Sequence, residues 1–154
     1  METRRKTEMK SHFTKSAQQV LDSAKKTARG LGHNYVGTEH LLLALIKNAG
    51  VAAEVLRENG VEEDKILDLI NELMSSNTTI MLQEKDDFTP RAQKIIENSM
   101  AEAEKTGVSQ TGTEHLLVAM LKETDCIAVR LLNTKGINVQ KLYVDVLAAA
   151  GQDM

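Results

Sequence analysis

The sequence has very few aromatic residues. Its 154 residues include two Phe, two Tyr and no Trp, yet 42% of them are hydrophobic. The core must therefore come from aliphatic side chains, which suit closely packed helices. A chain of this length typically buries ~70% of its unfolded surface. Composition thus predicts an all-α domain that folds on its own.

Cysteine is nearly absent as well. The single Cys126 cannot form an internal disulfide and has no partners at the spacing of a zinc site. This usage fits a reducing compartment such as the cytoplasm. We expect Cys126 to be a free, buried thiol.

The sequence also has no large excess of positive or negative charge and no long apolar run. The formal net charge is −3, which gives no broad basic surface and disfavours nucleic acid as a partner. No apolar run approaches the ~18 residues needed to span a membrane. The opening METRRKTEMKS has no apolar segment after it, so the protein is not expected to be exported. We interpret residues 1–11 as a flexible solvated tail rather than an anion-binding arm.

What the chain does contain is an internal duplication. The six residues GTEHLL occur at 37–42 and again at 112–117, and residues 13–47 align without a gap onto 88–122. After one inserted residue in the second copy, VAAEVLRENGV pairs with IAVRLLNTKGI. Two copies of this length indicate one globular domain with internal pseudo-symmetry rather than a solenoid. We predict repeat one at 12–74, a linker at 75–87 and repeat two at 88–150.

The pattern of each copy predicts four helices, so we expect eight in total. Helix starts are expected at four capping threonines, and Gly60 and Gly136 are expected just past the end of the third helix of each copy. The fourth helix is predicted from about residue 62 to 74 and from 139 to 149. The predicted caps are Thr14, Thr38, Thr89 and Thr113.

The residues that could bind a ligand lie at these helix starts. Exposed N–H groups at a helix N-terminus attract anions. Glu39 and Glu114 fall in the first turn of the second helices, where they could line a site or only stabilise the helix by ~0.3–1 kcal/mol. His40 and His115 point about 100° away from these glutamates, so they are predicted to be core or interface residues and not metal ligands.

Catalytic chemistry is not indicated. There is no GxxxxGK[ST] loop for nucleotide phosphates, and no nucleophile or oxyanion site accompanies the Glu and His residues. We therefore expect a non-catalytic recognition domain with no metal and no cofactor.

The segments FTKSAQQVLDSA, FTPRAQKIIENSM and the two GTEHLL blocks together resemble the double Clp repeat. This is the N-terminal domain of Clp-type AAA+ unfoldases, and the likeness is closest to the ClpC branch. It covers about residues 12–150. The resemblance implies an eight-helix pseudo-twofold domain that sits above the ATPase ring of the parent unfoldase, receives adaptor and substrate proteins, and does not hydrolyse ATP.

The resemblance to the ClpC branch also implies a ligand. In ClpC-type proteins this domain is a receptor for phosphorylated arginine, with one pocket per repeat. By resemblance, Glu39 and Glu114 would hold the guanidinium, and Thr14 and Thr89 would lie near the phosphate. Within each repeat the threonine and glutamate are 25 residues apart (39 − 14 and 114 − 89), so we expect the two pockets to be near equivalents. The alternative is a docking platform for an adaptor that helps the hexamer assemble.

Two features depart from that pattern. The second copy has EKTGVSQTGTEH where the first has RGLGHNYVGTEH, which predicts an altered affinity for the second pocket. The long polar start leaves the placement of the domain on its ring open. Since the sequence stops at AAAGQDM, just after the eighth predicted helix, a domain excised from a longer unfoldase is favoured over a free-standing Clp-repeat protein.

Overall fold

The computed structural model describes residues 12–75 and 88–151, which contain eight α-helices. The predicted tail at 1–11 and residues 76–87 of the predicted linker lie outside the described residues. The all-α, eight-helix prediction is confirmed. The helices are α1 (Lys15–Gly30), α2 (Thr38–Lys47), α3 (Val51–Glu58), α4 (Glu63–Ser75), α5 (Pro90–Lys105), α6 (Thr113–Lys122), α7 (Ile127–Thr134) and α8 (Val139–Ala149).

The first helix of each repeat begins as predicted. The side-chain hydroxyl of Thr14 accepts a hydrogen bond from Ala17 N–H at 3.1 Å, and that of Thr89 accepts one from Ala92 N–H at 3.1 Å. Each bond satisfies a donor that the first helical turn leaves unpaired. The glycine predictions also hold, because Gly60 and Gly136 have φ of +83° and +77°. Such angles favour glycine over any residue with a Cβ.

The core is aliphatic and centres on α2 and α6, each of which contacts the other and several further helices. Along α2, every residue from 38 to 45 is buried, so this helix has no solvent-facing side over that length. The largest fully buried side chains belong mainly to these two helices and include Leu41, Leu42, Leu43, Leu45, Leu116, Leu117 and Met120. On α4, Ile66, Leu69 and Ile70 are buried, whereas Leu73 is 44% exposed.

Helix contacts follow a pseudo-twofold pattern. Helix α2 packs on α7 of the other repeat just as α6 packs on α3, and α3 contacts α8 just as α7 contacts α4. The helices of each repeat therefore complete the core of the other. The two repeats form one domain rather than two stacked units.

Two threonine hydroxyls link the repeats. Thr38 Oγ1 accepts a hydrogen bond from Ala128 N–H at 3.1 Å, and Thr113 Oγ1 accepts one from Ala52 N–H at 3.1 Å. The prediction that Thr38 and Thr113 cap their own helices is therefore wrong. The N-cap residues are Gly37 and Gly112, and each threonine instead satisfies the first turn of α3 or α7 in the opposite repeat.

Short backbone pairings reinforce this crossover. Phe13 bridges to Thr111 and Val36 bridges to Phe88, both in parallel orientation. Next to these bridges, Thr14 N–H donates to Thr111 O and Thr89 N–H donates to Val36 O, each at 2.9 Å. The start of α1 is thereby held beside the loop that leads into α6, and the start of α5 beside the loop that leads into α2.

Replacing Thr38 or Thr113 with valine should destabilise the domain. Valine keeps the shape of threonine, but the N–H of Ala128 or Ala52 would be left buried without a partner, which costs about 1–3 kcal/mol. Urea denaturation of each variant measures this free energy of unfolding. The control is Thr134→Val, whose exposed hydroxyl donates to the backbone of its own helix and whose loss should cost under about 0.5 kcal/mol. Equal losses in all three variants would contradict the cross-repeat role.

Candidate functional site

A cleft of about 290 Å³ opens between the two repeats. We call it the Glu39 cleft. One wall comes from the start of α2 and the loop before it, and the other from the starts of α5 and α7. Its lining residues are Tyr35, Gly37, Thr38, Glu39, Thr89, Pro90, Arg91, Asp125, Cys126 and Ile127.

The cleft brings together two of the four predicted site residues, but not as paired in the sequence. Glu39 of the first repeat shares it with Thr89 of the second. The pairing of Thr14 with Glu39 and of Thr89 with Glu114 is therefore replaced by pairing across repeats. On the other side of the pseudo-twofold axis, the bond from Thr14 N–H to Thr111 O places Thr14 beside the segment that leads to Glu114.

Glu39 is fully buried, with 0% of its surface exposed. Its carboxylate folds back over the start of its own helix, where Oε1 occupies the space that a Cβ on Gly37 would need. Oε2 accepts a hydrogen bond from the Tyr35 hydroxyl at 3.2 Å, whereas Oε1 is buried without a hydrogen-bond partner. Burial raises the pKa of Glu39. A carboxylate in this setting gains from a cationic donor that enters the cleft.

Two histidines and a tyrosine form the support behind Glu39. Gly37 N–H donates to Nδ1 of His40 at 2.9 Å, so the His40 proton must sit on Nε2, which donates to Nδ1 of His33 at 2.7 Å. The His33 ring stacks on Tyr35 with centroids 5.4 Å apart. Burial lowers the pKa of His40 to about 3 and also lowers the pKa of His33. Both rings are therefore neutral near pH 7, and the prediction that His40 is a core residue is confirmed.

The opposite wall carries Arg91, the one cationic side chain among the described residues that line the Glu39 cleft. The Arg91 guanidinium pairs with Asp125 and lies 3.5 Å from Glu123 Oε1. Its hydrogen bond to Asp125 lowers the pKa of that carboxyl and raises the pKa of Arg91. Arg91 follows Thr89 at the start of α5, so a guanidinium and the N–H groups of a helix N-terminus lie together on this wall.

The equivalent position in the second repeat is built differently. Glu114 is partly exposed, and the gapless alignment puts Val108 and Gln110 where the first repeat has His33 and Tyr35. His115 is buried like His40 and accepts from Gly112 N–H through Nδ1 at 2.8 Å, but its Nε2 lies 3.4 Å from the Thr106 hydroxyl. The aromatic support for a glutamate is therefore confined to the first repeat.

Sequence reasoning missed three residues of this site: Tyr35, Arg91 and Asp125. Tyr35 lies in the loop that differs between the two copies, and that difference is the signal that could have identified it. Arg91 belongs to the FTPRA segment, where the first repeat has Ser16. Asp125 lies next to the inserted residue of the second copy. The charge pair between Arg91 on α5 and Asp125 in the loop before α7 depends on tertiary packing and has no sequence signature.

Cys126 lines the cleft as a buried free thiol, as predicted, and burial raises its pKa. Within residues 12–75 and 88–151, no group of three His, Cys, Asp or Glu side chains is arranged to hold a metal ion. None of the helices in that part of the chain combines the length and the apolar character needed to cross a lipid bilayer.

The architecture is that of a duplicated helical domain with a cleft where the repeats cross, and comparison with known proteins gives its family. Residues 12–135, and again 87–152, match the family model described as the Clp repeat (R) N-terminal domain. The chain belongs to this family.

Similar proteins agree with this assignment. The negative regulator of genetic competence ClpC/MecB of Bacillus subtilis is 39% identical over 146 residues, which are 94% of this chain and 18% of that protein. ClpC of Staphylococcus aureus strain USA300 is 37% identical over 90% of this chain and 17% of its own length. This chain thus spans under a fifth of these relatives. Among solved structures, the N-terminal domain of ClpD from Arabidopsis thaliana superposes with a TM-score of 0.78 at 22% identity, covering 91% of this chain and 95% of that one.

The buried Glu39 predicts a pH dependence of stability. Its pKa is raised in the folded protein, so the folded state binds the proton more tightly than the unfolded state. The resulting stabilisation is present below the ordinary value of 4.5 and is lost as pH rises through the folded-state pKa. Glu39→Gln, which cannot ionise, should therefore gain stability relative to the unmodified protein as pH rises from 4 to 7.

Urea denaturation at several pH values measures this difference. Glu58→Gln, at an exposed site at the end of α3, controls for the change in net charge. A difference between the Glu39→Gln variant and the unmodified protein that stays constant across pH would show that Glu39 does not carry a raised pKa.

Proposed function

We propose that this domain is the recognition module of a Clp-type ATPase and that the Glu39 cleft binds phosphoarginine side chains of proteins marked for unfolding. The observation that carries the proposal is the buried Oε1 of Glu39, which has no hydrogen-bond partner, in a cleft whose opposite wall carries the paired side chains of Arg91 and Asp125. The family assignment supports a role within a Clp system, in which the ATPase ring and adaptor proteins would be the partners.

Phosphoarginine has the charge pattern that this cleft would complement. Its guanidinium carries N–H donors that a carboxylate can accept in pairs, and its phosphate needs N–H groups, hydroxyls or cations. Glu39 offers the acceptor on the α2 wall. The start of α5 offers the Thr89 hydroxyl, the Arg91 backbone N–H and the Arg91 side chain on the other wall. Pro90 has no N–H, and the N–H groups of Ala92 and Gln93 already bond to Thr89. The guanidinium and the phosphate of one phosphoarginine side chain would therefore contact opposite walls of the cleft.

The tyrosine–histidine support favours the Glu39 cleft over its counterpart at Glu114. Tyr35 fixes one oxygen of Glu39 and leaves the other for ligand, so little conformational freedom is lost on binding. Glu114 lacks an equivalent tyrosine, because Gln110 takes that position. We therefore expect the Glu39 site to be the tighter of two sites, with Thr14 and Glu114 forming the weaker one.

A second candidate function is peptide or adaptor docking without phosphoarginine. One solved structure supports it: a complex of the ClpV N-domain with a VipB peptide superposes on this chain with a TM-score of 0.69 at 17% identity. That likeness extends to the fold alone. Adaptor docking and phosphoarginine binding can coexist on one domain.

Calorimetry with free phosphoarginine tests the proposal. The unmodified protein should bind, Glu39→Ala should weaken binding about tenfold or more through loss of a charge-assisted hydrogen-bond pair, and Glu114→Ala should have a smaller effect. Thr89→Ala and Arg91→Ala should each weaken binding to phosphoarginine more than to unmodified arginine, because they face the phosphate.

Glu104→Ala, on the exposed face of α5, is the matched control and should leave binding unchanged. Circular dichroism of each variant confirms that the helices are intact. An absence of heat with the unmodified protein, or an unchanged affinity in a Glu39→Ala, Glu114→Ala double variant, would leave adaptor docking as the function.

A further inference from the structure

In the second repeat, away from the Glu39 cleft, a buried carboxylate forms an ion pair. Glu102 on α5 is only 4% exposed, and its Oε2 accepts a hydrogen bond from Lys122 Nζ at 2.5 Å at the end of α6. Lys105 Nζ lies 3.6 Å from the same oxygen. This carboxylate raises the pKa of Lys122. Two lysines here share one internal carboxylate.

The first repeat keeps one of these lysines but not the carboxylate, and Lys26 lies near by at a position where the second repeat has Ala101. In the gapless alignment Lys47 is the equivalent of Lys122, whereas Thr27 takes the position of Glu102. A cavity of about 320 Å³ lies there, between α1, α2 and α4. We call it the Lys47 cavity. Its lining residues are Ser23, Lys26, Thr27, Gly30, Leu31, Leu43, Lys47, Glu63 and Leu67.

Polar groups in the Lys47 cavity are left without partners. The Thr27 hydroxyl is buried and has no hydrogen-bond partner, which is unusual because a helical threonine normally bonds to the preceding turn. Neither Lys26 nor Lys47 forms an ion pair in the described part of the chain. One carboxylate, that of the exposed Glu63, is among the lining groups, and it too forms no ion pair with these lysines.

We propose that the Lys47 cavity binds a carboxylate supplied by an acidic side chain of a partner protein. That carboxylate would take the place that Glu102 occupies in the second repeat. Lys47 would contribute as Lys122 does, Lys26 would supply the second cation in place of Lys105, and the Thr27 hydroxyl would donate a hydrogen bond. The duplicated fold provides the template, because the same helix pair already holds a carboxylate once.

The Lys47 cavity is separate from the Glu39 cleft and shares no lining residue with it. Binding at one therefore does not depend on the other. The acidic segment would contact the outer surface of α1 and α4, while a phosphoarginine side chain would enter between the repeats.

Backbone amide shifts on titration with the peptide acetyl-Glu-Glu-Glu-Glu-amide, at constant ionic strength, test the proposal. We expect saturable shifts at Thr27, Leu31, Leu43 and Lys47. The Gln analogue of the peptide should give none, and glutarate, a free dicarboxylate, should bind more weakly because it lacks flanking peptide contacts. A Lys26→Met, Lys47→Met double variant should lose about tenfold or more in affinity, whereas Lys65→Met, Lys135→Met, the matched control elsewhere on the surface, should retain it.

Thr27→Glu provides a second test that does not rely on losing a side chain. It installs the carboxylate of the second repeat, so it should raise the melting temperature and abolish peptide binding. Glu63→Gln should tighten peptide binding by removing a nearby like charge. Glu39→Ala should leave peptide binding unchanged, which separates this site from the phosphoarginine proposal.

Three outcomes would overturn the proposal. The first is an absence of saturable shifts in the unmodified protein. The second is peptide binding that survives both the double lysine variant and Thr27→Glu. The third is an equal response to inorganic phosphate, which would make the cavity a general anion site instead of a carboxylate site.

Discussion

The exchange of hydrogen bonds between the repeats is the constraint on which the rest of the structure depends. Thr38 and Thr113 each cap a helix of the opposite repeat from a fully packed position. Neither repeat can complete its helix starts alone, because the acceptor for α3 comes from repeat two and the acceptor for α7 from repeat one. Hydrophobic burial supplies most of the stability, but these bonds fix how the halves cross.

That crossing explains why the cleft joins residues from different repeats. Once Val36 pairs with Phe88, the start of α5 must lie beside the start of α2, and Glu39 faces Thr89. The hydrogen bond from the Tyr35 hydroxyl to Oε2 offsets part of the cost of burying Glu39. A site built on rigid helix ends in this way keeps its geometry without ligand.

Much of the fold could be predicted from the sequence, and the reasons are local. Thr14 and Thr89 cap helices through bonds to residues three positions away, and Gly60 and Gly136 adopt backbone angles that glycine prefers. The errors concern contacts between distant segments. Thr38 looked like a cap because it precedes a helical pattern, but its hydroxyl bonds across 90 residues of chain. The equal spacing of Thr14 from Glu39 and of Thr89 from Glu114 carries no information about which repeat lies beside which.

The duplication also allows the two repeats to be compared position by position, and their side chains differ at two places. A buried carboxylate with two lysines persists in one repeat, and the same position in the other has a threonine, a cavity and lysines without ion pairs. Similarly, the first repeat places a tyrosine and a second histidine behind its glutamate, whereas Gln110 and Val108 take these positions in the second repeat. The helix starts themselves are alike, because each glutamate folds over the glycine before its helix and each glycine N–H bonds to the following histidine. The two sites therefore differ in the side chains of the preceding loop. The repeat without an internal carboxylate is also the one whose threonine hydroxyl is buried without a partner.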